Sequence, residues 1–135
     1  MKDIWVEKYR PKTVDEYVFK DEAQKHQVKS WIADGGIPHL LFSGSAGTGK
    51  TTLAKVLIND LGVQEADVLL INASRDNGVD LIRRKITNFS ETMPWGDYKV
   101  ILLDEADYIS AEGQAALRGV MEQYHMSVRF ILTCN

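Results

Sequence analysis

The sequence is short of the residues that staple or anchor small proteins. It holds one cysteine, Cys134, in 135 residues, which excludes an internal disulfide and a cysteine-based metal cluster within it. Three prolines and no low-complexity tract or internal repeat leave little scope for linkers or stacked modules. No apolar run approaches the roughly 18 residues of a membrane span, and the opening MKDIWVEKYRP lacks the apolar core of a secretion signal. The expected setting is the cytoplasm, with no membrane partner. Positive charge is also in short supply. The formal net charge is −3, so contact with nucleic acid has to come from a local patch. His26, His39 and His125 have no metal-ligand spacing.

What is present is enough apolar content, 44%, for one core and one domain covering residues 1–135. Strand-like and helix-like segments alternate. DEAQKHQVKSWIADGG starts acidic, ends on two glycines and carries Val28, Trp31 and Ile32 on one side, as a helix does. HLLFSG reads as a buried strand. From Lys50, the positions Ala54, Leu57, Ile58 and Leu61 mark a second helix, with Gly62 as its C-terminal glycine. DVLLINAS is a second strand; Val79, Ile82, Ile86 and Phe89 stripe a third helix, which MPWGD ends. YKVILLDEAD is a continuous apolar strand ending in acids, the pattern of a strand covered on both faces. Ser110 is placed to cap a fourth helix bearing Leu117, Val120, Met121 and Tyr124. RFILTCN completes a last strand from Val128. The order predicts an α/β fold with a doubly wound parallel sheet and flanking helices, its ligand beyond the carboxyl ends of the strands.

Gly44-Ser45-Ala46-Gly47-Thr48-Gly49-Lys50-Thr51 matches the phosphate-loop pattern G-x-x-x-x-G-K-[ST] at every fixed position. It lies between a strand and a helix start, where such a loop has to lie. Glycines let successive backbone N–H groups turn inward, and the helix N-terminus adds about half a positive charge. Lys50 is expected to reach the terminal phosphates of ATP and the Thr51 hydroxyl to bind Mg²⁺. Asp104, ending the acidic strand, can orient Mg²⁺ through its water shell, and Glu105 can polarise the attacking water. Asn135, at the end of the neighbouring strand, is placed to sense the γ-phosphate; an ordinary frayed terminus has the same position.

The third helix carries the local basic patch. At about 100° per residue, its stripe leaves Arg84 pointing outward, flanked by Arg83 and Lys85. Asp80, one turn before Arg84, is expected to pair with it. A solvated basic face has the same spacing. Beyond that helix, Phe89, Met93, Pro94 and Trp95 form an apolar segment leading into a turn, where an aromatic anchor for a partner and plain core packing both remain open.

With these motifs in this order, the chain resembles the AAA+ ATPases. WVEKYRPKTVDEYV and INASRDNGVDLIRRKITNF narrow the resemblance to the small subunits of sliding-clamp loaders, nearest in lean form to those of tailed phages. It runs through nearly all of the sequence; the phosphate loop marks only the superfamily, whereas Tyr9-Arg10-Pro11 and the Asn72–Phe89 stretch are more specific. The resemblance implies a P-loop ATPase whose N-terminal box, residues 1–20, sets Tyr9, Arg10 and Pro11 beside adenine and ribose. It implies that Gly44 to Thr52 hold the phosphates, that Asp104 and Glu105 are the Mg²⁺ and water pair, and that Asn135 is sensor 1. Asn72 becomes a switch restraining Glu105 until DNA binds, although a loop-capping asparagine would sit there too. Arg83, with Arg84 and Lys85, would track primer-template DNA; Phe89, Met93 and Trp95 would dock on the sliding clamp; other loader subunits would complete a spiral. The cytoplasm of a bacterium or a phage-infected cell is the implied setting. The family's Ser-Arg-Cys motif, helical lid and collar lie outside these 135 residues, so weak hydrolysis is expected of this chain. A nucleotide-binding module without turnover, or another replication or recombination AAA+ ATPase, would share most of these motifs.

Overall fold

The computed structural model describes residues 22–43, 49–75 and 78–134. Helices α1 (Glu22–Asp34), α2 (Lys50–Asp60), α3 (Val79–Ser90) and α4 (Ala111–Gln123) alternate with strands β1 (Leu40–Ser43), β2 (Val68–Asn72), β3 (Lys99–Asp104) and β4 (Val128–Cys134). The four strands form one parallel sheet in the order β1-β4-β3-β2. The connection through α2 therefore passes over two strands, while those through α3 and α4 each step back by one. Parallel crossovers share one hand, which puts α2 on one face and α3 and α4 on the other.

The core divides in the same way. Val28, Leu40, Leu53, Leu57, Val100, Leu102 and Ile131 pack together on one face. Ile71, Ile82, Ile86, Ile101, Leu103, Leu117 and Phe130 pack on the other. Alternate residues of β3 serve opposite clusters, which is why its sequence is apolar without a break. The expected stripes hold: Ile82 and Ile86 are buried on α3, Leu117 and Val120 on α4. The Ser110 hydroxyl accepts the Gly113 N–H at 3.2 Å and caps α4 as anticipated. Gly113 also has a packing role, since a Cβ there would stand 2.6 Å from Val79 Cγ2. Its missing side chain lets α3 and α4 approach closely. Gly62 ends α2 in the left-handed region, with φ 73°.

Neither helical layer spans the whole sheet. Leu41 on β1 and Leu70 on β2 point to opposite faces and stay 64% and 56% exposed, one at each edge. β3 and β4, in the middle, are each paired on both sides.

At the opposite end of the sheet, the His39 ring sits edge-on to Phe130, 5.5 Å between centroids. Its Nδ1 accepts the Phe130 N–H at 3.1 Å, so that nitrogen must be unprotonated. Partial burial, then the positive charges of Arg129 and His125, hold the imidazole below its ordinary value of 6.5. A histidine harder to protonate in the folded state than in the unfolded chain binds fewer protons when folded. Stability contributed by the neutral ring is complete above about 6.5 and falls as pH drops from there towards the folded value. Solvent screens a partly exposed ring, so melting temperature should fall by only ~1–3 °C between pH 7.5 and 5.5 from this source. His39→Gln, whose amide oxygen can accept the same N–H, should remove that part of the pH dependence in a thermal melt.

Candidate nucleotide site at the carboxyl edge of the sheet

Three elements converge where β3 ends. Gly49 opens α2 with φ 82°, a left-handed conformation that a side chain would resist. Lys50 and Thr51 follow at once as the first residues of the helix, both half-buried. The Thr51 hydroxyl donates to Asp104 Oδ1 at 2.7 Å, so the start of α2 is tied to the last residue of β3. Asp104 Oδ1 also accepts the hydroxyl of Thr133 from β4. Glu105 comes next, and its N–H donates to the same Thr133 oxygen at 3.0 Å. Among the described residues, Glu105 is the one non-glycine residue at positive φ, 56°.

Beside this group lies a cleft of about 310 Å³ lined by Thr51, Lys55, Leu70, Asn72, Arg75 and Asp104, among others. Hydroxyl and carboxylate oxygens at a helix start form a hard donor set of the type that takes a hydrated divalent cation. No cluster of three or more His, Cys, Asp or Glu able to hold a metal is present among the described residues. A cation here would thus keep most of its water ligands or share those of a bound phosphate.

Asn72 ends β2 in register with Asp104. Its Oδ1 accepts the Ser74 N–H at 2.9 Å and the Ser74 hydroxyl at 2.6 Å, the geometry of a loop cap. No hydrogen bond joins it to Glu105 among the described residues.

Tyr9, Arg10, Pro11, Gly44, Ser45, Ala46, Gly47, Thr48 and Asn135 lie outside the described residues. Of the expected site residues, the structure brings Thr51 and Asp104 together with Glu105, and adds Thr133; Lys50 directly precedes Thr51 at the start of α2. The sequence offered Thr133 with Asn135 as polar residues at a strand end beside the acids and gave the sensing role to Asn135; the contact of the Thr133 hydroxyl with both acids comes from the structure.

On α3, Arg83, Arg84 and Lys85 are exposed on the side away from the core. The expected pair between Asp80 and Arg84 is corrected: Asp80 meets Arg83, at 3.5 Å. A side chain three positions on is as close along the helix as one four positions on. Phe89 is half-buried against the α3–α4 cluster, with the Lys99 ammonium 4.4 Å from its ring centroid. Met93 and Trp95 are 86% and 79% exposed, on a loop fixed from both ends. Buried Asp67 accepts the N–H groups of Trp95 and Gly96 at 2.9 and 2.8 Å. Buried Lys99 donates to the Phe89 carbonyl at 2.6 Å and to the Thr92 hydroxyl.

A family model described as "ATPase family associated with various cellular activities (AAA)" matches residues 40–135, from β1 through every element of this site. The chain belongs to the AAA family of ATPases. The replication factor C small subunit of Archaeoglobus fulgidus is 50% identical to this AAA domain over 137 residues, covering 98% of the chain and 43% of that protein. That of Saccharolobus solfataricus is 47% identical, covering 98% and 41%. The chain thus spans less than half the length of these relatives. Among solved structures, a RuvB variant of Thermotoga maritima superposes with TM-score 0.72 at 18% identity, over 93% of this chain and 42% of that one. The Thermotoga maritima RuvB Holliday junction branch migration motor gives 0.69 at 18% identity, over 93% and 41%. At that identity the likeness extends to the fold alone. No helix among the described residues is long and apolar enough to cross a membrane.

Proposed function

We propose that this chain is the ATP-binding core of a sliding-clamp loader subunit, acting in the cytoplasm during DNA replication. The observation that carries the reading is the Thr51–Asp104 contact at 2.7 Å, which joins the phosphate-loop helix to the acidic strand with Glu105 next in the chain. The similarity to replication factor C small subunits over 98% of the sequence supports the loader assignment.

In this reading Gly44 to Thr52 cradle the triphosphate, with Tyr9, Arg10 and Pro11 against the base and sugar. Lys50 places a positive charge at the terminal phosphates. Thr51 and Asp104 hold Mg²⁺, which would neutralise charge on the phosphate oxygens when bound. Glu105 accepts a proton from the attacking water, Asn135 reads the γ-phosphate, and Asn72 couples the end of β2 to whether DNA is present. Arg83, Arg84 and Lys85 contact DNA phosphates, and Met93 and Trp95 project towards the clamp. Other subunits complete the assembly.

Single-turnover hydrolysis of Mg·ATP, with and without primed DNA and clamp, tests this. Wild-type turnover should exceed that of Glu105→Gln and rise with both additions. Tight ATP binding with turnover equal to Glu105→Gln would instead identify a nucleotide-binding module. If two or three phosphates are contacted, the log–log salt slope of DNA binding should be about −2 to −3 per subunit. The triple change Arg83→Ala, Arg84→Ala, Lys85→Ala should flatten it by about 2, and a slope unaffected by the change would remove α3 from the DNA surface.

A further inference from the structure

Thr133 does more than end a strand. It is 1% exposed, one of four buried polar or charged residues among those described. A hydroxyl has one proton to give and two lone pairs to offer. Here the proton goes to Asp104 Oδ1 and a lone pair faces the Glu105 N–H at 3.0 Å. One oxygen atom therefore touches both members of the acidic pair.

The two contacts differ in what they fix. Asp104 Oδ1 receives hydroxyls from both sides, Thr51 from α2 and Thr133 from β4, which sets the rotation of its carboxylate. Glu105 is held through its backbone. Its φ of 56° and ψ of 46° lie in the left-handed region, which a residue with a Cβ resists and which persists only where the surroundings enforce it. Thr133 holds the N–H side of that peptide. On the carbonyl side, Glu105 O accepts the Tyr108 N–H at 3.1 Å, closing a short 3₁₀ turn at Ala106–Tyr108. Backbone φ and ψ decide where Cβ points, so whatever fixes them aims the carboxylate.

We infer that Thr133 is a positioning residue for hydrolysis, its single hydroxyl setting the Asp104 carboxylate and the left-handed turn that directs Glu105. The inference rests on the nucleotide reading of the site and deepens it. It also couples β4 to β3, so a displacement of either strand end would reach both acids through one atom.

The test compares Thr133→Val, which keeps the shape and loses both hydrogen bonds, with Thr133→Ser, which keeps the hydroxyl. Three readouts are taken on the whole chain. Exchange of the Glu105 amide, followed by NMR, should be about tenfold faster or more in the valine variant and near wild type in the serine variant. The ratio of ATP affinity with Mg²⁺ to that in EDTA should fall several-fold in valine alone, because Asp104 loses its alignment. Turnover should drop about 10- to 100-fold in valine with KM within about threefold of wild type, and serine should restore most of it. Wild-type exchange, Mg²⁺ ratio and kcat in Thr133→Val would overturn the inference, as would equal losses in the two variants. If Thr133→Val does not fold, Thr133→Cys, a poor donor of similar size, takes its place with the same expectations. Should wild type bind Mg·ATP no better than Lys50→Met, the nucleotide reading fails; the amide exchange then still decides whether Thr133 sets the Glu105 turn.

Discussion

Lys50→Met should lower Mg·ATP affinity by about 100-fold while leaving the melting temperature of the unliganded chain within a degree or two of wild type. Lys50 is the first residue of α2, directly after the left-handed Gly49, so it lies at the positive end of the helix dipole. A charge-assisted contact is worth about 1.5–3 kcal/mol, and in a phosphate cradle most of that is expressed in binding. The methionine side chain keeps the length and apolar stem, so helix packing changes little. Titration calorimetry with Mg²⁺ and a slowly hydrolysed ATP analogue measures the effect directly. Affinity within about threefold of wild type would mean that Lys50 does not meet phosphate.

Phe130→Ala should produce the largest loss of stability of any single truncation considered for this chain, about 3–5 kcal/mol. Phe130 is 1% exposed and lies in the α3–α4 cluster, in register with Ile101 at the centre of the sheet. Its ring also receives the edge of His39. Removing it leaves a cavity bounded by β3 and α4, whose backbones are pinned by their ladders and cannot collapse inward. For a chain of this length the cost corresponds to a fall of roughly 10–20 °C in melting temperature. Met126→Ala, at a residue 80% exposed, should shift it by about a degree or less and serves as the control. Because Thr133 lies three residues further along the same strand, a loosened β4 should also weaken nucleotide binding. Urea denaturation of both variants, with and without Mg·ATP, separates the two consequences.

Much of the architecture was legible in advance, and the reason is local. Apolar spacing marked every helix stripe because a helix repeats every 3.6 residues, and the unbroken apolar run of β3 signalled cover on both faces. Ser110 was recognisable as a cap because its partner, Gly113, is three residues away. The proposed phosphate loop was nameable for the same reason, since its pattern is a contiguous stretch of sequence. Lys50, Thr51, Asp104 and Glu105 could be named as a group from the order of loop and acidic strand.

What escaped the sequence depended on contacts between distant segments. Asp67 and Lys99 look like ordinary surface charges, yet they are 1% and 3% exposed, because the loop after α3 folds over one and the end of α3 receives the other. Phe89 continues the stripe of α3 and was offered equally as an anchor and as core; the structure packs part of its ring against the α3–α4 cluster and sets Lys99 over it. Asp80 could have reached Arg83 or Arg84, and side-chain geometry chose Arg83. Thr133 is the clearest case, since its partners lie 28 and 29 residues away on the neighbouring strand. The sequence by itself determined the alternating elements, because these are written in short-range spacing. The tertiary structure alone decided which strand ends become neighbours, and with that which hydroxyl meets which acid, because strand order and register are set by packing across the whole sheet.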